Sequence, residues 1–136
     1  MAQQEKYKIA TIGSHSALQI LKGAKDEGFE TICVCIKGNE QPYKSFNVAD
    51  KIILIDSYDD FETVEKELIK ENAILIPHAS FIAYMGIKRV ENLKMPYFGN
   101  KKILHWESDR KEERKWLSAA GLKMPKIFNT PEEIDR

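Results

Sequence analysis

Residues 8–28 read KIATIGSHSALQILKGAKDEG, and the hydrophobic period of this stretch changes along its length. Lys8 to Ile12 form a short run rich in β-branched side chains, and Gly13 follows it, which predicts a strand that ends in a tight turn. The next apolar residues have the i, i+3, i+4, i+7 spacing of a helix lying on a sheet, and they are Ala17, Ile20, Leu21 and Ala24. Gly28 stands where a helix C-terminal cap belongs, so the stretch predicts a strand, a glycine turn and a helix in that order.

The rest of the chain repeats this alternation of strand and helix. Further apolar segments predict strands at residues 30–36, 52–55, 73–76 and 95–98. Helices are predicted after the third strand, capped by Asp59 or Asp60, and again over residues 81–90, whereas residues 37–47 are predicted as a loop. Pro96 cannot donate to a ladder and places the fifth strand at an edge. Repeated βα units with right-handed crossovers predict an α/β fold, a Rossmann-like open parallel sheet of about five strands with helices on both faces.

The character of the sequence changes after residue 100. Residues 107–115 are almost wholly charged, and Asp109 and Glu112 have the spacing of a capping box at the start of a helix. A further strand is predicted over residues 126–128, and Thr130 begins what reads as another helix. We therefore expect a first, substrate-binding domain over residues 1–104 and the truncated start of a second portion over residues 105–136.

Composition limits the classes of function. The chain has 136 residues, of which 43% are hydrophobic and 31% charged, as in a folded globular protein. Lys plus Arg and Asp plus Glu both number 21, so the chain lacks the basic field that binding to nucleic acid or to an anionic membrane needs. No apolar run approaches the length of about 18 residues that a membrane-spanning helix requires, and no secretory signal opens the chain. We expect a cytoplasmic protein without nucleic-acid or membrane partners.

The two cysteines are predicted to be buried small hydrophobes. Cys33 and Cys35 lie in one apolar run, too close together for ordinary disulfide geometry on an extended strand. A two-thiol metal site is the alternative, but zinc takes four ligands and no second Cys/His pair has matching spacing. No metal site is therefore predicted within the chain.

The predicted sheet brings two loops together. In doubly wound sheets ligands bind beyond the carboxyl ends of the strands, where the strand order reverses. For the order 3-2-1-4-5 this point lies between the first and fourth strands, which residues 13–16 and 77–80 follow. Each loop offers a histidine and a hydroxyl, and the first opens a helix whose N–H groups attract an anion such as phosphate. The predicted ligand-binding residues are Ser14, His15, Ser16, His78 and Ser80.

Other interpretations of these loops stay open. Residues 14–16 have the composition of a helix N-cap, Ser80 can cap the next helix, and His78 can be a hydrogen-bonded histidine in a turn after proline. The chain lacks the G-x-G-x-x-G of dinucleotide binding, the G-x-S-x-G of a serine nucleophile and the Walker phosphate loop, so no catalytic or cofactor-binding residue is predicted. If a protonated histidine holds a phosphate, binding weakens as the pH rises above neutrality.

At these same residues the chain resembles the archaeal formate-dependent ligases of purine biosynthesis, which formylate 5-aminoimidazole-4-carboxamide ribonucleotide. The matching stretches are Ile12–Ile20, Ile76–Phe81, Phe98–Asn100 and Trp106–Arg110. These ligases belong to the ATP-grasp superfamily, in which a Rossmann-like leading domain, the pre-ATP-grasp domain, precedes the ATP-binding domains. The resemblance implies that residues 105–136 begin the ATP-grasp portion.

The resemblance also implies a reaction. ATP and Mg²⁺ serve to phosphorylate formate, and the amine of the ribonucleotide attacks the formyl phosphate to give the formamido product, ADP and phosphate. By motif, His15 and Ser80 contact the ribonucleotide, whereas Ser14, Ser16 and His78 are added from loop geometry. The family's ATP and Mg²⁺ residues lie beyond Arg136, so the isolated chain is expected to be inactive. The expected partners are the ribonucleotide, formate and ATP, with a homo-oligomer left open.

A free-standing Rossmann-like module is the alternative function. Such a module would bind a phosphorylated metabolite for regulation or scaffolding, without catalysis.

Overall fold

The computed structural model describes residues 6–134, which divide into two compact units between Lys101 and Lys102. The first unit contains a parallel sheet with the order β3-β2-β1-β4. Its strands are β1 (Lys8–Ile12), β2 (Thr31–Ile36), β3 (Lys51–Ile55) and β4 (Ala73–Leu75). The predicted parallel sheet and its strand order are confirmed, and β1 and β4 are neighbours at the point where the order reverses.

Five α-helices among residues 6–101 connect and cover these strands. They are α1 (Ala17–Asp26), α2 (Gln41–Ser45), α3 (Phe61–Lys70), α4 (Ser80–Met85) and α5 (Ile87–Glu91). α1 buries Ala17 and Leu21, as its period predicts, and the chain leaves it through Gly28 at a φ of +79°. Two fully buried rings complete the core: Phe61 is the first residue of α3, and Phe81 lies in α4.

The turn after β1 requires glycine. A Cβ atom at position 13 would lie only 2.6 Å from the Cβ of Cys35 on the neighbouring strand, closer than such atoms approach each other. Cys33 and Cys35 are both buried and free, which confirms their predicted packing role. The close approach of strand and turn therefore fixes where the loop over residues 13–16 leaves the sheet.

An ion-pair network closes the opposite, amino-terminal edge of the sheet. Lys8 lies 2.6 Å from Glu71, and Lys51 lies 2.7 Å from both Glu71 and Glu67. The two lysines hold the pKa of Glu71 down to about 2, because each forms a hydrogen bond to its carboxylate. Glu71, which follows α3, thereby joins β1 to β3 across the sheet.

Several sequence predictions need correction in the first unit. Residues 37–47 are not only a loop, because α2 forms there, with Pro42 in its first turn and Tyr43 buried. The single helix predicted over residues 81–90 is broken at Gly86, which adopts a φ of +75°. Neither Asp59 nor Asp60 caps α3 with its side chain; Ser57 instead accepts the Asp59 N–H of a leading 3-10 turn.

The predicted fifth strand is absent from the described part of the chain. Residues 95–98 form only one parallel bridge to the sheet, between Tyr97 and Leu75. The Leu75 N–H donates to the carbonyl of Pro96 and the Phe98 N–H donates to the carbonyl of Leu75, both at 2.9 Å. Because β4 ends at Leu75, the pairing does not extend beyond this bridge. The sheet formed by the described residues therefore has four strands.

The described part of the second unit contains two α-helices, α6 (Leu104–Ser108) and α7 (Arg110–Ala119). The Asp109 carboxylate accepts the N–H groups of Lys111 and Glu112, as its predicted capping role requires. The strand predicted over residues 126–128 is not formed, and within the described residues, which end at 134, a 3-10 turn follows Thr130. The division into functional domains at residues 104 and 105 stays a prediction.

Along residues 6–134, no helix combines the length and the apolar character needed to cross a bilayer.

Candidate functional site

The loops after β1 and β4 meet at the carboxyl edge of the sheet. The Oγ of Ser14 lies 3.2 Å from Nε2 and 3.4 Å from Nδ1 of His78, although the two residues are 64 positions apart. The sequence-based prediction that these loops converge is therefore confirmed. Ser14 and His78 form the bridge between them.

His78 is held in one tautomer at this bridge. Its Nε2 lies 3.0 Å from the carbonyl oxygen of Ile12, and because a carbonyl only accepts, the Nε2–H donates and Nδ1 is left as an acceptor. Burial lowers the pKa of the imidazole, the Ile12 hydrogen bond opposes this shift, and the charge of His15 adds to it. The edge of the ring packs on Phe81, with centroids 5.0 Å apart. His78 is therefore a neutral, positioned group at neutral pH.

Three other predicted residues keep their polar side chains available. His15 is exposed. Ser16 occupies the N-cap position of α1 without a side-chain cap bond, and its own N–H donates to the Oγ of Ser14 at 3.2 Å. Ser80, half-buried, is the first residue of α4. Among residues 6–134, no hydrogen bond engages the side chains of His15, Ser16 and Ser80.

The backbone adds partial positive charge at the end of β1, where α1 begins. α1 begins directly after the first loop. The Ala17 N–H donates to the Ser14 carbonyl at 3.1 Å, and the N–H groups that follow it in the first turn lack partners within the helix. These groups and the positive end of the helix dipole attract anions. Together with the free hydroxyls and His15, they form a set of donors suited to a phosphate ester.

Two tyrosines, which the sequence analysis missed, anchor the first loop. The Tyr43 hydroxyl donates to the carbonyl of Ser14 at 3.1 Å, and the Tyr58 hydroxyl donates to the carbonyl of Gly13 at 3.2 Å. Burial raises the pKa of Tyr43 to about 12 and that of Tyr58 further above its usual range, so both hydroxyls stay protonated donors.

A signal for these tyrosines exists in the sequence. Tyr43 follows β2 and Tyr58 follows β3, so both come after the carboxyl end of a parallel strand, where the sheet topology gathers ligand-binding loops. The turn that carries Tyr58 is itself held, because Arg89 of α5 donates to the Tyr58 carbonyl at 3.3 Å and to the Asp59 carboxylate at 2.9 Å. The aromatic ring of Tyr58 stacks on that of Tyr84, with centroids 5.1 Å apart and planes 13° apart.

Metal-ligating side chains do not cluster at this site among the described residues. In the part of the chain that the structure describes, no group of three or more His, Cys, Asp and Glu side chains is placed to hold an ion. The site at the sheet edge therefore consists of neutral donors, a helix terminus and an exposed histidine.

Curated relatives cover nearly the whole chain. The chain is 50% identical over 135 residues to the 5-formaminoimidazole-4-carboxamide-1-(β)-D-ribofuranosyl 5'-monophosphate synthetase of Methanocaldococcus jannaschii, a match of 97% of this chain and 37% of that protein. The protein of the same name from Pyrococcus abyssi is 53% identical over 130 residues, 95% of this chain and 37% of its own length. The chain thus spans about 37% of the length of these relatives.

Solved structures show the same fold. The crystal structure of an IMP biosynthesis protein PurP from Thermococcus kodakaraensis matches with a TM-score of 0.77 and 34% identity, over 91% of this chain and 40% of that one. The N5-carboxyaminoimidazole ribonucleotide synthetase of Thermotoga maritima matches with a TM-score of 0.63 and 20% identity, over 94% of this chain and 35% of that one, which shows the fold alone.

These matches confirm the resemblance seen in the sequence motifs. A family model described as "Protein of unknown function (DUF1246)" matches residues 9–128, most of the chain. The chain therefore belongs to the DUF1246 family.

Proposed function

We propose that this chain is the ribonucleotide-binding part of a formate- and ATP-dependent ligase of purine biosynthesis. One observation carries the proposal: the Ser14–His78 bridge joins two loops at the switch point of the sheet, beside the free side chains of His15, Ser16 and Ser80. The proposed substrate is 5-aminoimidazole-4-carboxamide ribonucleotide. The names of the archaeal relatives, which are synthetases of the formylated ribonucleotide, support this choice.

The residues divide into two roles in this proposal. His15, Ser16 and Ser80 contact the ribonucleotide, with the phosphate at the first turn of α1, where N–H groups and the helix dipole favour an anion. Ser14 and His78 are positioning residues, because their polar atoms are engaged with each other and with the Ile12 carbonyl. The neutral state of His78 means that it adds no charge to the phosphate site.

The chemical step needs ATP and Mg²⁺, which supply the activation of formate by phosphorylation. The described residues offer no acidic cluster for the metal, and the sequence has no Walker loop, so we propose that both bind to parts of the enzyme outside this chain. What this chain does is bind the ribonucleotide and orient its exocyclic amine for attack on the activated formate. The Tyr43 and Tyr58 hydrogen bonds to the loop carbonyls support this proposal, because they hold the first loop in place.

A titration that separates phosphate recognition from base recognition tests the proposal. The protein is titrated with the ribonucleotide and with the corresponding riboside, which lacks the phosphate, by isothermal calorimetry. We expect the ribonucleotide to bind at least tenfold more tightly, since hydrogen bonds to a charged group contribute about 1.5–3 kcal/mol each. Equal affinities for the two compounds would refute a phosphate site at α1.

The same titration addresses the alternative, a module that binds a phosphorylated metabolite without catalysis. AMP serves as a phosphorylated competitor with a different base. Preference for AMP over the aminoimidazole ribonucleotide would favour the module, whereas ATP- and formate-dependent turnover of the ribonucleotide by the protein at its natural length would establish the ligase.

A further inference from the structure

Tyr84 is an exposed aromatic side chain beside the candidate site. It lies on α4, four residues after Ser80, so the two side chains share one face of the helix. Tyr84 is 47% exposed, although its ring stacks on that of Tyr58. The roles proposed above for the ribonucleotide-binding residues do not use Tyr84.

The ring of Tyr84 is held at a fixed place relative to the first loop. It stacks on Tyr58, with centroids 5.1 Å apart, and the Tyr58 hydroxyl donates to the carbonyl of Gly13. Arg89 binds the carbonyl of Tyr58, so the stacking partner is itself restrained. An aromatic ring tied in this way loses little further freedom when a second planar group packs against it.

The stacking contact places the Tyr84 ring beside a side chain that anchors the first loop. Tyr58 and Tyr43 donate their hydroxyls to the carbonyls of Gly13 and Ser14, and Tyr84 packs on the first of these two tyrosines. Tyr84 therefore supplies an exposed ring next to the loop anchor, one helical turn after Ser80.

We propose that Tyr84 stacks against the planar base of the ribonucleotide and thereby helps to select an aromatic base. This inference rests on the proposed function. In that proposal the helix terminus and the hydroxyls bind the phosphate and the sugar, and Tyr84 is added as the residue that contacts the base. Stacking of a base on an aromatic side chain contributes enough to change affinity by about tenfold or more. It distinguishes a ribonucleotide from a sugar phosphate that lacks a base.

The test uses the protein at its natural length and two ligands, the aminoimidazole ribonucleotide and ribose 5-phosphate. If ribose 5-phosphate is too weak to titrate directly, its affinity is measured by competition against the ribonucleotide. We expect Tyr84→Ala and Tyr84→Leu to weaken ribonucleotide binding about tenfold, equivalent to about 1.4 kcal/mol, and to leave ribose 5-phosphate unchanged. Tyr84→Phe keeps the ring and should keep the affinity.

A second tyrosine serves as the matched control. Tyr7 is 50% exposed and directly precedes β1, at the amino-terminal end of that strand, so Tyr7→Ala should change neither affinity. His15→Ala should weaken both ligands, because it acts on the phosphate-bearing part that they share.

The outcomes separate the two proposals. If Tyr84→Ala weakens the affinity for both ligands to the same extent, the ring acts only through the loop. If it changes neither affinity, the ring does not contact the ligand. Each of these results overturns the stacking proposal. An unchanged affinity of His15→Ala for both ligands overturns the proposed function itself. A base-specific loss in Tyr84→Ala and Tyr84→Leu, with Tyr84→Phe intact, supports the stacking role.

Discussion

Replacing Ser14 with alanine tests the bridge on which the candidate site depends. The substitution removes the Oγ that lies 3.2–3.4 Å from the ring nitrogens of His78 and that accepts the Ser16 N–H at 3.2 Å. Both bonds are longer than the ordinary optimum, so each belongs to the lower part of the range of about 0.5–1.5 kcal/mol for a neutral hydrogen bond. Removal of the hydroxyl also leaves Nδ1 of a half-buried imidazole without this partner.

We therefore expect Ser14→Ala to lower the free energy of unfolding by about 1–2 kcal/mol. The assay is urea denaturation at pH 7, followed by circular dichroism, with the midpoint and slope compared between proteins. Ser45→Ala is the matched control, because Ser45 accepts only an exposed bond from Gln41, and it should change stability by less than about 0.5 kcal/mol. If Ser14→Ala is as stable as the parent protein, the hydroxyl does not join the loops and the reasoning fails.

Three further predictions concern the phosphate donor, the turn and the opposite edge of the sheet. His15→Ala should weaken ribonucleotide binding by about 1.5–3 kcal/mol, measured by calorimetry, with ATP affinity little changed. Gly13→Ala should destabilise the fold by about 1–3 kcal/mol in the same urea assay, because its Cβ would lie 2.6 Å from that of Cys35. Glu71 has a folded pKa of about 2, below its usual 4.5, so its stabilising effect is present above pH 4.5 and is lost as the pH falls toward 2. Glu71→Gln should therefore flatten the acid limb of the stability profile, and an unchanged limb would contradict the ion-pair assignment.

Burial of His78 predicts a second pH dependence. Its lowered pKa keeps the folded form neutral, so the contribution of His78 to stability is complete above its ordinary value of 6.5 and is lost as the pH falls below it. A stability profile of His78→Gln should show a smaller loss than the parent between neutral pH and pH 5. A steeper loss in the variant would contradict a neutral bridging imidazole.

Local patterns were sufficient to predict the first βα unit and the strand order. The hydrophobic period changes after Gly13 because α1 buries one stripe of its surface. The apolar run of β2 is continuous because both faces of that strand are buried, so each pattern is visible in the sequence itself. The meeting of residues 13–16 with residues 77–80 then follows from sheet topology. The convergence of the loops that carry Ser14 and His78 is therefore predictable from the sequence, whereas the hydrogen bond between the two side chains is not.

Features that depend on tertiary reach could not be predicted in the same way. Residues 95–98 are apolar, but β4 ends at Leu75 and offers a single bridge, so no fifth strand forms. α2 is too short to show a helical period, and it forms around the buried ring of Tyr43. The hydroxyls of Tyr43 and Tyr58 reach loop carbonyls 29 and 45 positions away, which no local pattern encodes.

The loop after β1 is tied to the elements that follow all three other strands. Tyr43 comes after β2, Tyr58 after β3 and His78 after β4, and each binds the backbone between Ile12 and Ser14. Such preorganisation leaves little conformational entropy to lose when a ligand arrives. We expect that the loop after β1 is a rigid template, which moves little when the proposed ligand binds.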